Sequence, residues 1–202
     1  MLAVTVDDVM SWELLCDGYT RERVTALFAG RKTIAALDVL DMDIPLHERL
    51  CAVLREAMLP VHFLHEFACR IAETVLMQEN KPDPRGLAAI EAKRKWLWGE
   101  ISDKELRAAQ KATRGIARPA ARNAAWNAAQ ESAQEAAWHT AWCAARDRVW
   151  EALFERARKT IRDEVIWKAV WEAAWVAVWE EHCTVLRGML EEARRSGTGD
   201  AK

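Results

Sequence analysis

The chain has 202 residues, 51% of them hydrophobic and 30% charged, with a net charge of −2. It is long enough for one substantial core, or two small ones sharing an interface, and apolar enough to fold. The near-neutral balance argues against a general nucleic-acid binder, which displays a strong basic excess, and supplies no long-range pull towards an anionic membrane.

In chain order, Val4 and Val6 alternate as in a short strand, but Asp7 and Asp8 suit a helix's first turn, and a helix from Val6 to about Leu15 is expected. TRERVTALFAG reads as a helix with Val24, Leu27 and Phe28 on one face and Gly30 as its stop. TIAALDVLDMD is short and apolar and ends in an acidic turn. Pro45 opens LHERLCAVLREAML, whose Leu46, Leu50, Val53, Leu54 and Met58 follow helical spacing. Pro60 then separates VHFLHEFACRIAETVLM, strongly amphipathic through Phe63, Phe67, Ile71 and Val75. QENKPDPRG is a loop leading to a helix around LAAIEAKRKWLW that stops near Gly99. Ser102 and Glu105 have capping-box spacing for the next helix, which Gly115 and Pro119 weaken or kink.

From Ala120 to about Glu181 the chain reads in fours. The second position of each tetrad is apolar from Ala121 to Ala177, and eight of the eleven tryptophans fall in the third or fourth position. A step of four residues overshoots a helical turn by about 40°, so such a stripe precesses around the axis. A single straight helix against one flat neighbour would not bury it. Unbroken to Arg194, the helix would be roughly 110 Å long, too long for a chain of this size. A break is therefore expected between Arg156 and Asp163, with Thr160 as N-cap and Asp163 at the capping-box position. The tryptophans shift there from the third position (Trp126, Trp138, Trp142, Trp150) to the fourth (Trp167, Trp171, Trp175, Trp179).

The expected fold is an all-α multi-helix bundle of about seven to nine helices, with short N-terminal helices packed on a long C-terminal helical hairpin. Residues 1–101 form the amphipathic region, 102–195 the alanine- and tryptophan-rich helices, and 196–202 a disordered tail, the first two sharing one core. MLAVTVDDVMSW carries two aspartates where a signal peptide needs its apolar stretch. The most apolar run, VIWKAVWEAAWVAVW, is broken by Lys168 and Glu172 and is shorter than the roughly 20 residues a membrane span requires. Cys16, Cys51, Cys69, Cys143 and Cys183 form an odd set without CxxC spacing, so reduced thiols and a cytoplasmic location are expected.

Several stretches, VTVDDVMSW, LDVLDMDIPLHERLCAVLRE, LHEFACRIAETVL, DPRGLAAIEAKRKWLWGEISDKELRAA and EEHCTVLRGMLEE, together with the tetrads, resemble an Imm-5-like immunity-protein family frequent in bacterial and phage genomes. The sharpest part is the middle: an FAC-containing helix, a proline loop, an AIE helix ending in tryptophan, a glycine-acidic turn and an EL-AA helix. His65 stands where that family usually has a basic residue. The resemblance implies a helical fold, no catalytic motif, and a toxin or a host-defence protein as the partner.

No residue set specifies a reaction. His62, Glu66 and Cys69 share a helix face that could approach one transition metal, with His65 beside them, but one helix supplies them all and Cys69 reads as a small buried hydrophobe. Asp38, Asp41 and Asp43 could offer oxygen ligands, yet no glycine bend or bidentate glutamate accompanies them, and such residues more often cap a turn. There is no GxSxG, Walker or dinucleotide motif, so no catalytic residue, metal or cofactor is assigned. Lys93, Arg94 and Lys95 with Arg85, and ERARKTIR, make basic patches. Glu91, Glu151 and Glu155 alongside them point to solvated helix faces. His139 and His182 receive no role.

Most tryptophans should be core, but eleven are more than a small core covers, leaving some as anchors. Trp167, Trp171, Trp175 and Trp179 are the candidate partner-binding residues. The functional expectation is a non-enzymatic protein-binding factor, an immunity or anti-defence protein that occupies a partner's surface. The alternatives are a homo-oligomeric scaffold and a nucleic-acid-binding protein.

Overall fold

The computed structural model describes residues 2–12, 19–153 and 164–197. Ten α-helices pack against one another among them: α1 (Val6–Met10), α2 (Arg21–Phe28), α3 (Ala36–Leu40), α4 (Leu46–Val53), α5 (Val61–Met77), α6 (Pro84–Leu97), α7 (Asp103–Ala112), α8 (Pro119–Ala128), α9 (Ala133–Ala152) and α10 (Glu164–Arg195). The all-α bundle is as expected. No described helix is long and apolar enough to cross a membrane.

Helix α5 is the hub. Leu64, Phe67, Ala68, Ile71, Ala72 and Leu76 are all buried, and α6, α8, α9 and α10 pack around them. The polypeptide forces its start and stop: Pro60 lacks the N–H that would continue a helix backwards, and Gln78 ends the run before the proline loop. Gly86 lets α6 lie close, since a Cβ there would stand 2.7 Å from a Leu76 methyl. One cluster of buried side chains extends from Val4 to Leu190, joining short helices and tetrads.

Local chemistry sets most boundaries. The Ser102 hydroxyl accepts from the Glu105 N–H while the Glu105 carboxylate accepts from the Ser102 N–H at 2.8 Å, the expected capping box of α7. Asp83 caps α6, with Pro84 in its first position. Helix α2 ends in two left-handed residues, Ala29 (φ 48°) and Gly30 (φ 78°), of which only the glycine adopts that conformation without strain.

Two helix ends differ from expectation. Helix α1 stops at Met10, with Ser11 as its C-cap; residues 13–15 lie outside the described residues. Val4 does pair in the extended conformation, through an isolated antiparallel bridge to Ile34 in which each N–H donates to the other's carbonyl at 2.9 and 3.0 Å. Helix α4 ends at Val53 rather than Met58: Leu54 leaves the helical conformation (ψ 54°), Arg55 Nε donates to the Cys51 carbonyl at 3.2 Å, and Leu54, Met58 and Leu59 are fully buried beyond the turn.

The tetrad tract also divides once more than its composition suggested. α8 ends at Ala128, and Ser132 caps α9 by accepting from the Glu135 N–H at 3.4 Å. The tract thus supplies three helices, not a two-helix hairpin. Asn123 donates to Asp147 at 2.7 Å and Arg118 pairs with Glu151, so ascending positions on α8 meet descending positions on α9, and the two are antiparallel. The break expected at Arg156–Asp163, with its Thr160 cap, lies outside the described residues, as do 198–202 of the expected tail.

Candidate functional site

Where α4 begins, the segment Ile44–His47 faces α9 and α10 across an open groove of ≈ 670 Å³. Trp142 of α9 and Trp171, Glu172, Trp175, Val176 and Trp179 of α10 complete the walls. The Trp142 ring lies 5.4 Å from Trp175 and 5.9 Å from Trp179, and Trp175 stacks on Trp179 at 5.9 Å. Trp138 continues the stack, 6.1 Å from Trp142 and 6.2 Å from Trp179, while Trp171 meets Trp175 edge-on at 6.3 Å. Offset rings at such separations attract one another beyond their area burial, by about 0.5–1.5 kcal/mol per pair.

The spacing of four makes this possible. Trp171, Trp175 and Trp179 follow one another at single-turn intervals, so consecutive rings overlap along the helix. The stack is fixed at one end and open at the other. Trp179 is 4% exposed and meets the buried His182 ring edge-on at 5.6 Å, whereas Trp171 and Trp175 are half-buried and Trp142 is 39% exposed. His182 has no partner at Nδ1, and burial, reinforced by the nearby Arg148 cation, pulls its pKa down to about 4. Glu172 is the only carboxylate among the described residues that line the groove. It stands 3.9 Å from Lys168, both side chains mostly in water.

Three of the four tryptophans singled out from sequence therefore meet in one groove, and Trp167 is not in its lining. Missing from that set were Trp142 and the wall at Ile44–His47. Trp142 was visible as a tetrad tryptophan, but nothing local signals that a residue near position 45 meets position 175; Cys183 reaching towards the Leu46 carbonyl is the same long-range docking of α10 on α4. The most exposed tryptophan is Trp98, 82% exposed just past the end of α6, away from this groove.

The histidine face of α5 is not a ligand set. His62 is exposed and His65 buried, while Glu66 is held by Arg94 through Nε at 3.0 Å and Nη2 at 2.9 Å. Burial drives the Cys69 thiol to about 12, far from a thiolate. No three potential metal donors come together among the described residues. His65 has neither ring nitrogen partnered, and burial with the adjacent Lys93 cation lowers its pKa to about 3. Asp38 accepts from the Ala35 N–H at 2.8 Å and from Arg31, and Asp41 accepts from Arg187 at 2.6 Å, so these carboxylates cap and clamp.

The basic run on α6 is also structural in part. Arg94 binds Glu66 and Glu73, and Lys95 pairs with Glu91 at 2.8 Å. The fully buried Lys93 donates from Nζ to the Gln130 carbonyl at 2.5 Å and lies 3.9 Å above the Trp96 ring. Burial lowers its pKa to about 8. It is a cation at the carboxyl end of α8, where the helix dipole and orphan carbonyls favour one. Four cysteines, Cys51, Cys69, Cys143 and Cys183, are free thiols; Cys16 lies outside the described residues. Comparison with known proteins finds no matching family model, no matching curated protein and no matching solved structure.

Proposed function

We propose that this chain is a non-enzymatic protein-binding factor that docks a segment of its partner in the tryptophan groove between α4, α9 and α10. The observation that carries this reading is the half-exposed stack itself. Trp142, Trp171 and Trp175 hold large, rigid, apolar faces towards an open groove of ≈ 670 Å³, anchored from behind by the buried Trp179. Indoles presented this way supply contact area at little cost in rotamer entropy and are the commonest anchors of protein interfaces. The resemblance to an immunity-protein family supports a toxin or host-defence protein as that partner.

The test is affinity purification of the tagged chain beside a variant carrying Trp171→Ala and Trp175→Ala, with circular dichroism showing that the variant keeps its helices. One stoichiometric partner held by the parent and lost by the folded variant is the expected result. A partner retained equally by both, or no stoichiometric partner, overturns the reading.

A second reading, a homo-oligomeric scaffold, draws on a different surface. Ala169, Ala173 and Ala177 repeat at intervals of four on α10 and are all exposed. Small residues at this spacing allow another helix to approach closely. Light scattering that returns a strict monomer at high concentration removes this reading.

A further inference from the structure

We infer that the groove recognises an arginine-bearing segment, the guanidinium lying over the Trp171 and Trp175 rings with its charge directed towards Glu172. This rests on the protein-docking reading and names the chemistry of what is docked. Three observations carry it.

The groove's charge is one-sided. Among the described residues its lining holds one carboxylate, Glu172, and no lysine or arginine, and the indoles of Trp142, Trp171 and Trp175 add the negative side of their quadrupoles. The Glu172 carboxylate is weakly held, because among the described residues its ion pair is a 3.9 Å contact with Lys168, at the outer limit for such a pair and largely in water.

The chain also shows what its indoles accept. Trp12 carries Arg55 at 5.0 Å from the ring centroid, Trp96 carries Lys93 at 3.9 Å, and Trp126 carries Arg114 at 4.6 Å. Among the described residues the ring partners of the groove's tryptophans are one another, Trp138, His47 and His182, with no cation stacked on them. They are indole faces of the kind covered by cations elsewhere in the molecule, here turned to an open volume.

Shape selects arginine over lysine. The Trp171 and Trp175 planes meet at 63°, so a planar, weakly hydrated guanidinium can lie along one ring with its N–H edge against the other, a fit that a compact, strongly hydrated ammonium does not make. The apolar wall at Ile44–Leu46 opposite leaves room for aliphatic neighbours of that arginine in the same segment.

The experiment titrates the full chain with a capped hexapeptide, acetyl-LRLLRL-amide, following the indole N–H resonances by NMR and affinity by calorimetry. The same peptide with citrulline at both arginine positions keeps shape and hydrogen bonding but removes the charge. The expected result is at least about fivefold tighter binding of the arginine peptide, with Glu172→Gln weakening it by about threefold or more and leaving the citrulline peptide little changed, and Trp171→Leu weakening both peptides. Equal affinity for the two peptides overturns the inference, as does the absence of any shift at the groove indoles. Neither outcome touches the docking reading, which the capture experiment with Trp171→Ala and Trp175→Ala decides separately. A captured partner lost in that variant, alongside a silent arginine peptide, leaves a groove that docks protein without reading guanidinium.

Discussion

Helices α9 and α10 are written in the same four-residue pattern, and the molecule uses them in opposite senses. In α8 and α9 the second residue of each tetrad is buried without exception from Ala121 to Leu153, while Trp142 and Trp150 lie exposed. In the first half of α10 the second residue, at Val165, Ala169, Ala173 and Ala177, is exposed, and the tryptophans are the ones turned inward. The cause is how neighbours are distributed along each helix. The stripe swings about 40° per tetrad, and α9 has α5, α8 and α10 around it to meet each part of the swing. The described part of α10 before Val178 lacks such an enclosure, so the larger apolar face is buried and the smaller is left in water. The difference also sets the spacing. Alanines facing alanines let backbones close up, whereas stacked indoles hold two helices apart and keep a groove open between them.

Breaking the stack should have the largest effect. Trp179→Ala removes the buried ring against which Trp138, Trp142, Trp175 and His182 all rest, and is expected to cost about 3–5 kcal/mol in urea unfolding. Breaking the alanine seam comes next. Ala124 is fully buried, and Ala124→Leu should overpack it at a cost of up to about 3 kcal/mol. Ala173→Leu on the exposed face of α10 should shift stability by no more than about 0.5 kcal/mol. Equal losses from these two leucines would erase the distinction drawn between the helices.

Acid should act on the stack through its buried end. The His182 imidazole is held down to about 4 and that of His65 to about 3, from an ordinary value of 6.5. Between those limits the unfolded chain takes up protons that the folded chain refuses, so stability is complete above about pH 6.5 and falls as the pH drops. A loss on the order of 2 kcal/mol for each histidine between pH 7 and pH 4.5 is expected. His65→Leu removes two unpartnered buried nitrogens and should blunt that loss while holding or raising stability at pH 7. The seam's polar clamp falls between the two leucine substitutions: Asn123→Ala, which deletes the donor to Asp147, should cost about 1 kcal/mol, read as a shift in midpoint without change of slope.

Legibility followed the range of the interaction. The capping box of Ser102 and Glu105 and the proline before α5 are local and were readable directly. Ser132 and Glu135 have the same spacing as Ser102 and Glu105, so the division between α8 and α9 carried a signal too, masked by the unbroken alanine pattern on both sides. The early end of α4 carried none. Leu54 and Met58 fit a helix by spacing, yet they are fully buried beyond the turn, in a core that other helices share. The groove was half legible for the same reason: Trp171, Trp175 and Trp179 follow from helical periodicity, but Trp142 and His47 join them only through packing across more than thirty and more than a hundred positions.

By itself the sequence determined that the chain is helical, where most helices begin, and that its alanines and tryptophans run in stripes, because helix propensity, capping and the 100° turn act within a few residues of one another. The tertiary structure alone decided which stripe each helix buries. That choice depends on how neighbours are distributed along a helix, and no residue carries the positions of its own future neighbours. The same decision placed a tryptophan stack behind water-facing alanines on α10 and left its open end towards α4.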